Sequence, residues 1–179
     1  MLVNVEACQL VDIFDHLFTI SHNTRLISGG EEPIYLPYSA TVSYHRIVFT
    51  RDYFASALHE IAHWCIAGAE RREQKDYGYW YAPDGRNQTQ QALFEQVEVK
   101  PQALEWIFAS ASNYPFQVSA DNLQADLQAS ETFKQNIHQQ VLTYCRVGLP
   151  PRAAQFAAAL AVYYKTDNYL SVNRYTRSV

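Results

Sequence analysis

The chain has 179 residues, 48% of them hydrophobic and 14% aromatic, which is enough for one packed domain and short for two. It contains no low-complexity tract, no internal repeat and no apolar run near the ~20 residues that cross a bilayer, so disordered, solenoid and membrane-spanning classes are excluded. A formal charge of −4 argues against nucleic acid as a general partner while leaving room for a local basic face.

The first residues, MLVNVEACQLVDIFDH, reach acids at once and lack a basic segment, so no secretory leader is expected. Over 3–19, the residues Val5, Leu10, Ile13, Phe14, Leu17 and Phe18 recur three and four apart, predicting an amphipathic opening helix. Gly29-Gly30 and Pro33 then break the chain. Ile34-Tyr35-Leu36 and Arg46-Ile47-Val48-Phe49-Thr50 are rich in β-branched and aromatic residues and predict a small sheet with turns. A compact helix is expected over 53–67, stopped near Gly68. Tyr77-Gly78-Tyr79-Trp80-Tyr81 has strand composition and is closed by a turn at Ala82-Pro83-Asp84-Gly85.

A second helical region runs over about 90–111, interrupted or begun at Pro101, and Asn113-Tyr114-Pro115 is a break. Two further helices follow over about 130–147 and 151–165, with Ser130 as N-cap and Pro151 as a good first residue. The prediction is therefore a single α+β domain over 1–179, helix-dominated with a small sheet. Its core covers about 5–165, and the polar tail over 166–179 is loosely held. Cys8, Cys65 and Cys145 are an odd number at wide spacing, with no disulfide framework or CxxC pair, so a reducing, cytoplasmic setting is expected.

The chemistry concentrates in residues 57–68, ALHEIAHWCIAG. Residues four apart on a helix stand above one another, so His59 and His63 aim two imidazoles at one point. Glu60 lies at the edge of that face, where hydrolytic zinc enzymes carry the glutamate that takes a proton from metal-bound water. Coincidence is the plain alternative, but accidental HExxH patterns seldom fall on an apolar helix with Leu58, Ile61 and Trp64 around them. His16, His22, His45 and His138 stand alone and are read as surface or satisfied core. Cys65 falls on another face of the same helix and is read as a free core thiol.

Two ligands hold a divalent ion poorly, so a third must come from elsewhere. The longer metzincin pattern would need glycine at 66 and histidine at 69, where this chain has Ile66 and Ala69. The next source is Phe94-Glu95-Gln96-Val97-Glu98-Val99-Lys100-Pro101. At about 100° per residue, Leu93, Phe94, Val97, Pro101, Leu104, Phe108 and Ala111 form an apolar arc, and Glu98 lies nearer to it than Glu95. Glu98 is therefore the expected third ligand, with Glu95 behind it holding a ligand imidazole's free N–H. The plain alternative is a pair of solvated glutamates, and Pro101 can disturb the helical phase.

Several blocks together resemble the bacterial elongation factor P hydroxylase family. They are Asn23-Thr24-Arg25-Leu26-Ile27, Glu32-Pro33-Ile34-Tyr35-Leu36-Pro37, Arg46-Ile47-Val48-Phe49, ALHEIAHWCIAG, Tyr77-Gly78-Tyr79-Trp80-Tyr81, Pro83-Asp84-Gly85-Arg86, the run from Phe94 to Leu104, Tyr114-Pro115-Phe116 and Asp121-Asn122-Leu123. The resemblance spans about residues 10–165. It implies an iron-dependent monooxygenase, with O2 as co-substrate, that hydroxylates the β-lysyl-modified lysine of elongation factor P. It also implies a metal held by two histidines and a carboxylate, which here map onto His59, His63 and Glu98. The HExxH helix would then form a minimal, zincin-like arrangement with iron in place of zinc. Spacing alone leaves both metals open: three protein ligands suit Fe(II) with free positions, and equally a zinc site with one. Under the iron reading Glu60 need not be a general base; it orients the site or steers a proton.

Between the metal helix and Glu98 lies AERREQKDYGYWYAPDGRNQ. Arg71, Arg72, Lys75 and Arg86 with Tyr77, Tyr79, Trp80 and Tyr81 would form a basic, aromatic rim, suited to the acidic elongation factor P that the resemblance implies. Asp84 and Asp76 would meet the cationic lysyl arm. The plain reading is that Arg71 and Arg72 neutralise the carboxyl end of the helix and the aromatics line a core strand. Direct nucleic-acid binding is not expected. Three readings follow: the hydroxylase, a small zinc peptidase with Glu60 as base, and a non-catalytic adaptor stapled by metal.

Overall fold

The computed structural model describes residues 6–75, 86–120 and 129–176. Helix α1 covers Ala7–His22, beginning four residues and ending three residues later than periodicity suggested. Its start is set by a reciprocal cap: the Glu6 side chain accepts from the backbone of Gln9, whose side chain accepts from the Glu6 N–H. Asn23, in the left-handed conformation at φ 48°, ends it. Leu10, Phe14 and Phe18 form its buried stripe.

Strand β1, Thr24–Gly30, was not anticipated, because its Ser-Gly-Gly end reads as a break. It is held by long-range partners: β1 pairs in parallel with β3, His45–Thr50, and β2, Ile34–Leu36, pairs antiparallel on the other side of β3. The order is β1-β3-β2. Asp15 of α1 pins β1 by accepting from the Leu26 N–H and the Arg25 guanidinium, each at 2.9 Å. Gly30 cannot carry a side chain, since a Cβ there would stand 2.8 Å from both Glu32 O and Val48 Cγ1.

Helix α2, Phe54–Ile66, carries HExxH and packs against α1, β3, α3 and α5, where α3 is Gln88–Ala111 and α5 is Pro151–Tyr164. Ala57, Ile61, Ala62 and Trp64 are wholly buried. The Trp64 ring meets Phe14 at 5.1 Å and Phe18 at 4.8 Å, which locks one side of α2 onto α1. That packing sets which way the opposite side, with the histidines, must face.

Helix α3 starts at an Asn87 cap shared reciprocally with Gln90 and runs straight through Pro101, correcting the expectation of a break there. An interior proline costs about 3 kcal/mol. Residues from Pro101 to Ala109 are buried in one continuous run, and that tertiary packing outweighs the local penalty. Helix α4 covers Glu131–Val147, with the Ser130 hydroxyl accepting from the Phe133 N–H, and α5 has Pro151 at its first position, both as expected.

The tail is not loose through 176. Tyr175, in a 3-10 turn at Val172–Tyr175, is buried and packs edge-on against Trp106 at 5.3 Å. Its backbone carbonyl accepts from His138 Nε2 and its hydroxyl donates to Tyr169 O. The aromatic anchor, invisible to a reading of polarity, holds the segment. The strand expected over 77–81 and the turn after it lie outside the described residues. What is described is a helix-dominated α+β fold with a three-stranded sheet.

Candidate metal centre

The two helices that meet at the centre of the fold bring three donors together. His59 and His63 project from α2, and their Nε2 atoms lie 3.0 Å apart. Glu98 reaches them from α3, with Oε1 3.2 Å from His63 Nε2 and Oε2 3.5 Å from His59 Nε2. One ligand atom from each lies within 4.8 Å of the other two. Glu98 is 1% exposed and His63 7%, whereas the His59 side chain keeps 26% and opens the site to solvent.

Glu105, seven residues after Glu98 and so on nearly the same face of α3, places Oε2 2.8 Å from His59 Nδ1. Glu60 sits at the edge of the cluster, half-buried, close enough for His59, His63, Glu98 and Glu105 all to act on its charge.

Electrostatics follow from this crowding. Burial opposes ionisation of Glu98, but His63 and His59 beside it bring its carboxyl down to about 2. Burial likewise opposes charge on His59, but Glu105, by hydrogen bond and by charge, with Glu98 and Glu60, raises it to about 10. Burial pushes the Glu60 carboxyl up, against the pull of His59 and His63 and with the push of Glu98 and Glu105. The shifts of His59 and Glu98 share one cause: carboxylates packed round two imidazoles favour positive charge between them, whether a proton or a dication brings it.

The donor set fits a divalent metal. Two ligands each about 2.1 Å from one ion and at right angles would lie about 3.0 Å apart, which is the spacing of the two Nε2 atoms. Two imidazoles and one carboxylate suit zinc, and equally Fe(II) with positions left for other ligands.

The other expected residues fall elsewhere. Glu95 does not hold an imidazole: it accepts from the Ser130 N–H and hydroxyl at the start of α4, and Glu105 stands where Glu95 was expected. The apolar arc holds in part: Phe94, Pro101, Leu104, Phe108 and Ala111 are buried, but Leu93 and Val97 are exposed. The inward stripe of α3 is polar, with Gln91, Glu98, Gln102 and Glu105 all buried. That stripe, spaced by seven, four and three, puts Glu105 on the same face as Glu98, although the spacing does not say which partner it meets.

Arg86 is not on a rim. It is 1% exposed, donates to Gln91 Oε1 and to Ala120 O at 3.0 Å each, and lies 3.9 Å over the Phe94 ring. A guanidinium so enclosed serves as an internal tie. Arg72 donates to Ala67 O at 2.6 Å, capping the carboxyl end of α2, and Arg71 is half-buried. Tyr79, Trp80, Asp84 and Asp76 lie outside the described residues. His22 and His45 are packed against Trp64 and Tyr35, and Cys65 is a buried free thiol, as the sequence suggested.

The family profile described as Elongation factor P hydroxylase matches residues 13–175. The chain is also 48% identical over 166 residues to the Elongation factor P lysine hydroxylase of Haemophilus influenzae, with 93% of each chain covered. The matched stretch takes in α2 and α3 entire, and with them every residue of the cluster just described. The chain belongs to the elongation factor P hydroxylase family.

Proposed function

We propose that this chain is an iron-dependent monooxygenase that hydroxylates the β-lysyl-modified lysine of translation elongation factor P in the cytoplasm. The observation that carries the reading is the meeting of donor atoms of His59, His63 and Glu98 within 4.8 Å of one another, in a chain of this family. The relative's name, a lysine hydroxylase of elongation factor P, supports the substrate.

Fe(II) bound there supplies the one-electron chemistry that O2 needs before it can attack a C–H bond. The net reaction puts one oxygen atom into a C–H bond and releases the other as water, drawing two protons and two electrons from an external reductant. Glu98 and His63, both buried, hold their donor atoms in place. Glu60, its carboxyl raised by burial, holds or passes a proton beside them. The arrangement of an HExxH helix with a carboxylate from the next helix is in this reading a minimal zincin-like one.

Glu98, Glu105, two neutral imidazoles and one dication sum to zero with a proton on Glu60 and to −1 without it, so in neither state does the site repel a cationic lysyl arm. Asp84 and Asp76 are proposed to meet its ammonium groups. Arg71, with Tyr79 and Trp80, is proposed to dock the protein partner, whereas Arg72 and Arg86 are engaged internally. No direct nucleic-acid contact is proposed. Among the described residues no helix is long and apolar enough to cross a membrane.

A second reading, a zinc peptidase with Glu60 as base, is favoured by the HExxH spacing and by the position of Glu60 at the cluster's edge. One experiment separates the two. Elongation factor P, already β-lysylated, is incubated with the protein, Fe(II), a reductant and air, and its intact mass is measured. A gain of one oxygen atom, abolished under argon, supports the hydroxylase. Loss of a peptide fragment that persists under argon supports the peptidase, and an unchanged mass together with unfolding on metal removal supports a metal-stapled adaptor.

A further inference from the structure

We infer that Glu105 is a positioning residue for the metal centre: it fixes the ring orientation and tautomer of His59, so that one helix supplies both a metal ligand, Glu98, and the group that aims another. The inference rests on reading His59, His63 and Glu98 as metal ligands.

The two histidines are held differently. His63 is 7% exposed and is fixed by the packing of α2 against its neighbours. The His59 side chain is 26% exposed, so packing leaves its ring freer to turn. An imidazole free to rotate presents either nitrogen, or neither, to an ion. Glu105 removes that freedom. Its Oε2 lies 2.8 Å from Nδ1, within the range of a charge-assisted hydrogen bond, and its residue is 8% exposed, so water competes weakly.

The acceptor also settles which nitrogen is the ligand. A carboxylate can only accept, so the Nδ1 of a neutral His59 carries the hydrogen and Nε2 carries the lone pair. That is the nitrogen facing His63 Nε2 at 3.0 Å and Glu98 Oε2 at 3.5 Å. Partial transfer of negative charge through the hydrogen bond makes Nε2 a stronger donor to a cation.

The placement on α3 adds rigidity. Glu98 and Glu105 are two helical turns apart on one stripe, so a single rigid element sets the distance between the third ligand and the group that orients the first.

The test uses the full-length protein stripped of metal and titrated with Co(II), whose visible spectrum reports the ligand field. Three variants are compared with the wild type: Glu105→Ala, Glu105→Gln and Glu98→Ala. Glu105→Ala is expected to weaken Co(II) binding ~10–100-fold and to change the visible bands, as loss of an outer partner does. Glu105→Gln keeps an oxygen acceptor for Nδ1 without the charge, so it should recover the wild-type band positions with an affinity between the two. Thermal melting of each metal-free variant is recorded alongside. A purely structural role would lower the melting temperature while leaving the affinity and spectrum of the folded protein unchanged, and that result overturns the inference. So does Glu105→Gln binding and absorbing like wild type while Glu105→Ala does the same. If the wild type binds no Co(II), or Glu98→Ala binds it as tightly, the metal reading itself fails, and the two failures are told apart. Should Glu105→Ala not fold, the affinity and band positions of Glu105→Gln decide: affinity equal to wild type counts against the role.

Discussion

Glu95 accepts two hydrogen bonds from Ser130, from its N–H at 3.2 Å and its hydroxyl at 2.6 Å, so its carboxylate is committed to the start of α4 and turned away from the histidines. Glu98, three residues on, lies between them. The two glutamates should therefore separate cleanly on substitution. Glu98→Ala is expected to weaken metal binding by more than the ~100-fold that marks the upper end for outer partners. Glu95→Ala should retain full metal stoichiometry after dialysis and lose only ~0.5–2 kcal/mol of stability, as for a lost cap. Equal metal loss in both would mean that the assignment of these two residues is wrong.

Arg152 ties α5 to the carboxyl end of the metal helix. Its Nη2 lies 2.8, 3.2 and 2.6 Å from the carbonyls of Trp64, Cys65 and Ala67, and its guanidinium stacks 4.7 Å over the Trp64 ring. Arg152→Ala removes a donor from all three carbonyls, of which Ala67 O keeps Arg72, and is expected to cost ~1–3 kcal/mol, read from urea unfolding. Arg152→Lys should recover only part, because an ammonium restores charge at the helix end without the planar stack. A loss below ~0.5 kcal/mol for alanine would refute this account of the tie.

Tyr175 anchors the end of the described chain in the core. Tyr175→Ala should destabilise by ~3–5 kcal/mol, as buried aromatic deletions do. Truncation after Thr166 should do at least as much, since it removes the Tyr175 ring and the carbonyl that receives His138 Nε2. Unchanged melting of the truncated protein would show that the tail contributes nothing.

The three thiols should react in order of exposure. Cys8 is exposed, Cys145 half-buried and Cys65 buried, and burial pushes the Cys65 thiol far up, only partly offset by the Arg152 charge. Iodoacetamide on the native protein should label Cys8 first, Cys145 slowly and Cys65 only on unfolding. Peptide mass mapping gives the order, and early labelling of Cys65 would contradict its placement.

Much of the architecture was legible because its signals are local. The Ser130 cap, the first-position Pro151 and the spacing of Leu10, Phe14 and Phe18 each act within a turn or two of helix, and the structure keeps them. The convergence of His59 and His63 is local in the same sense: a four-residue step on any helix stacks the two rings. Glu98 was reached too, although by an arc whose members Leu93 and Val97 turn out to face solvent. The other five members of that arc, Phe94, Pro101, Leu104, Phe108 and Ala111, are buried on the side of α3 that also buries Glu98.

What only the tertiary structure decided are pairings between distant parts of the chain. β1 exists because β3 lies beside it, and its Ser-Gly-Gly end carries no pattern of its own. Helix α3 survives Pro101 because its neighbours bury the continuous run from Pro101 to Ala109. The partner of His59 is Glu105, 46 residues away, and no local period distinguishes a glutamate that meets an imidazole from one that meets Ser130 or water. Hydrophobic periodicity reports which face of an element is buried on average. A polar side chain brought inside answers to a single partner on another element, and that partner is known only once the helices are packed.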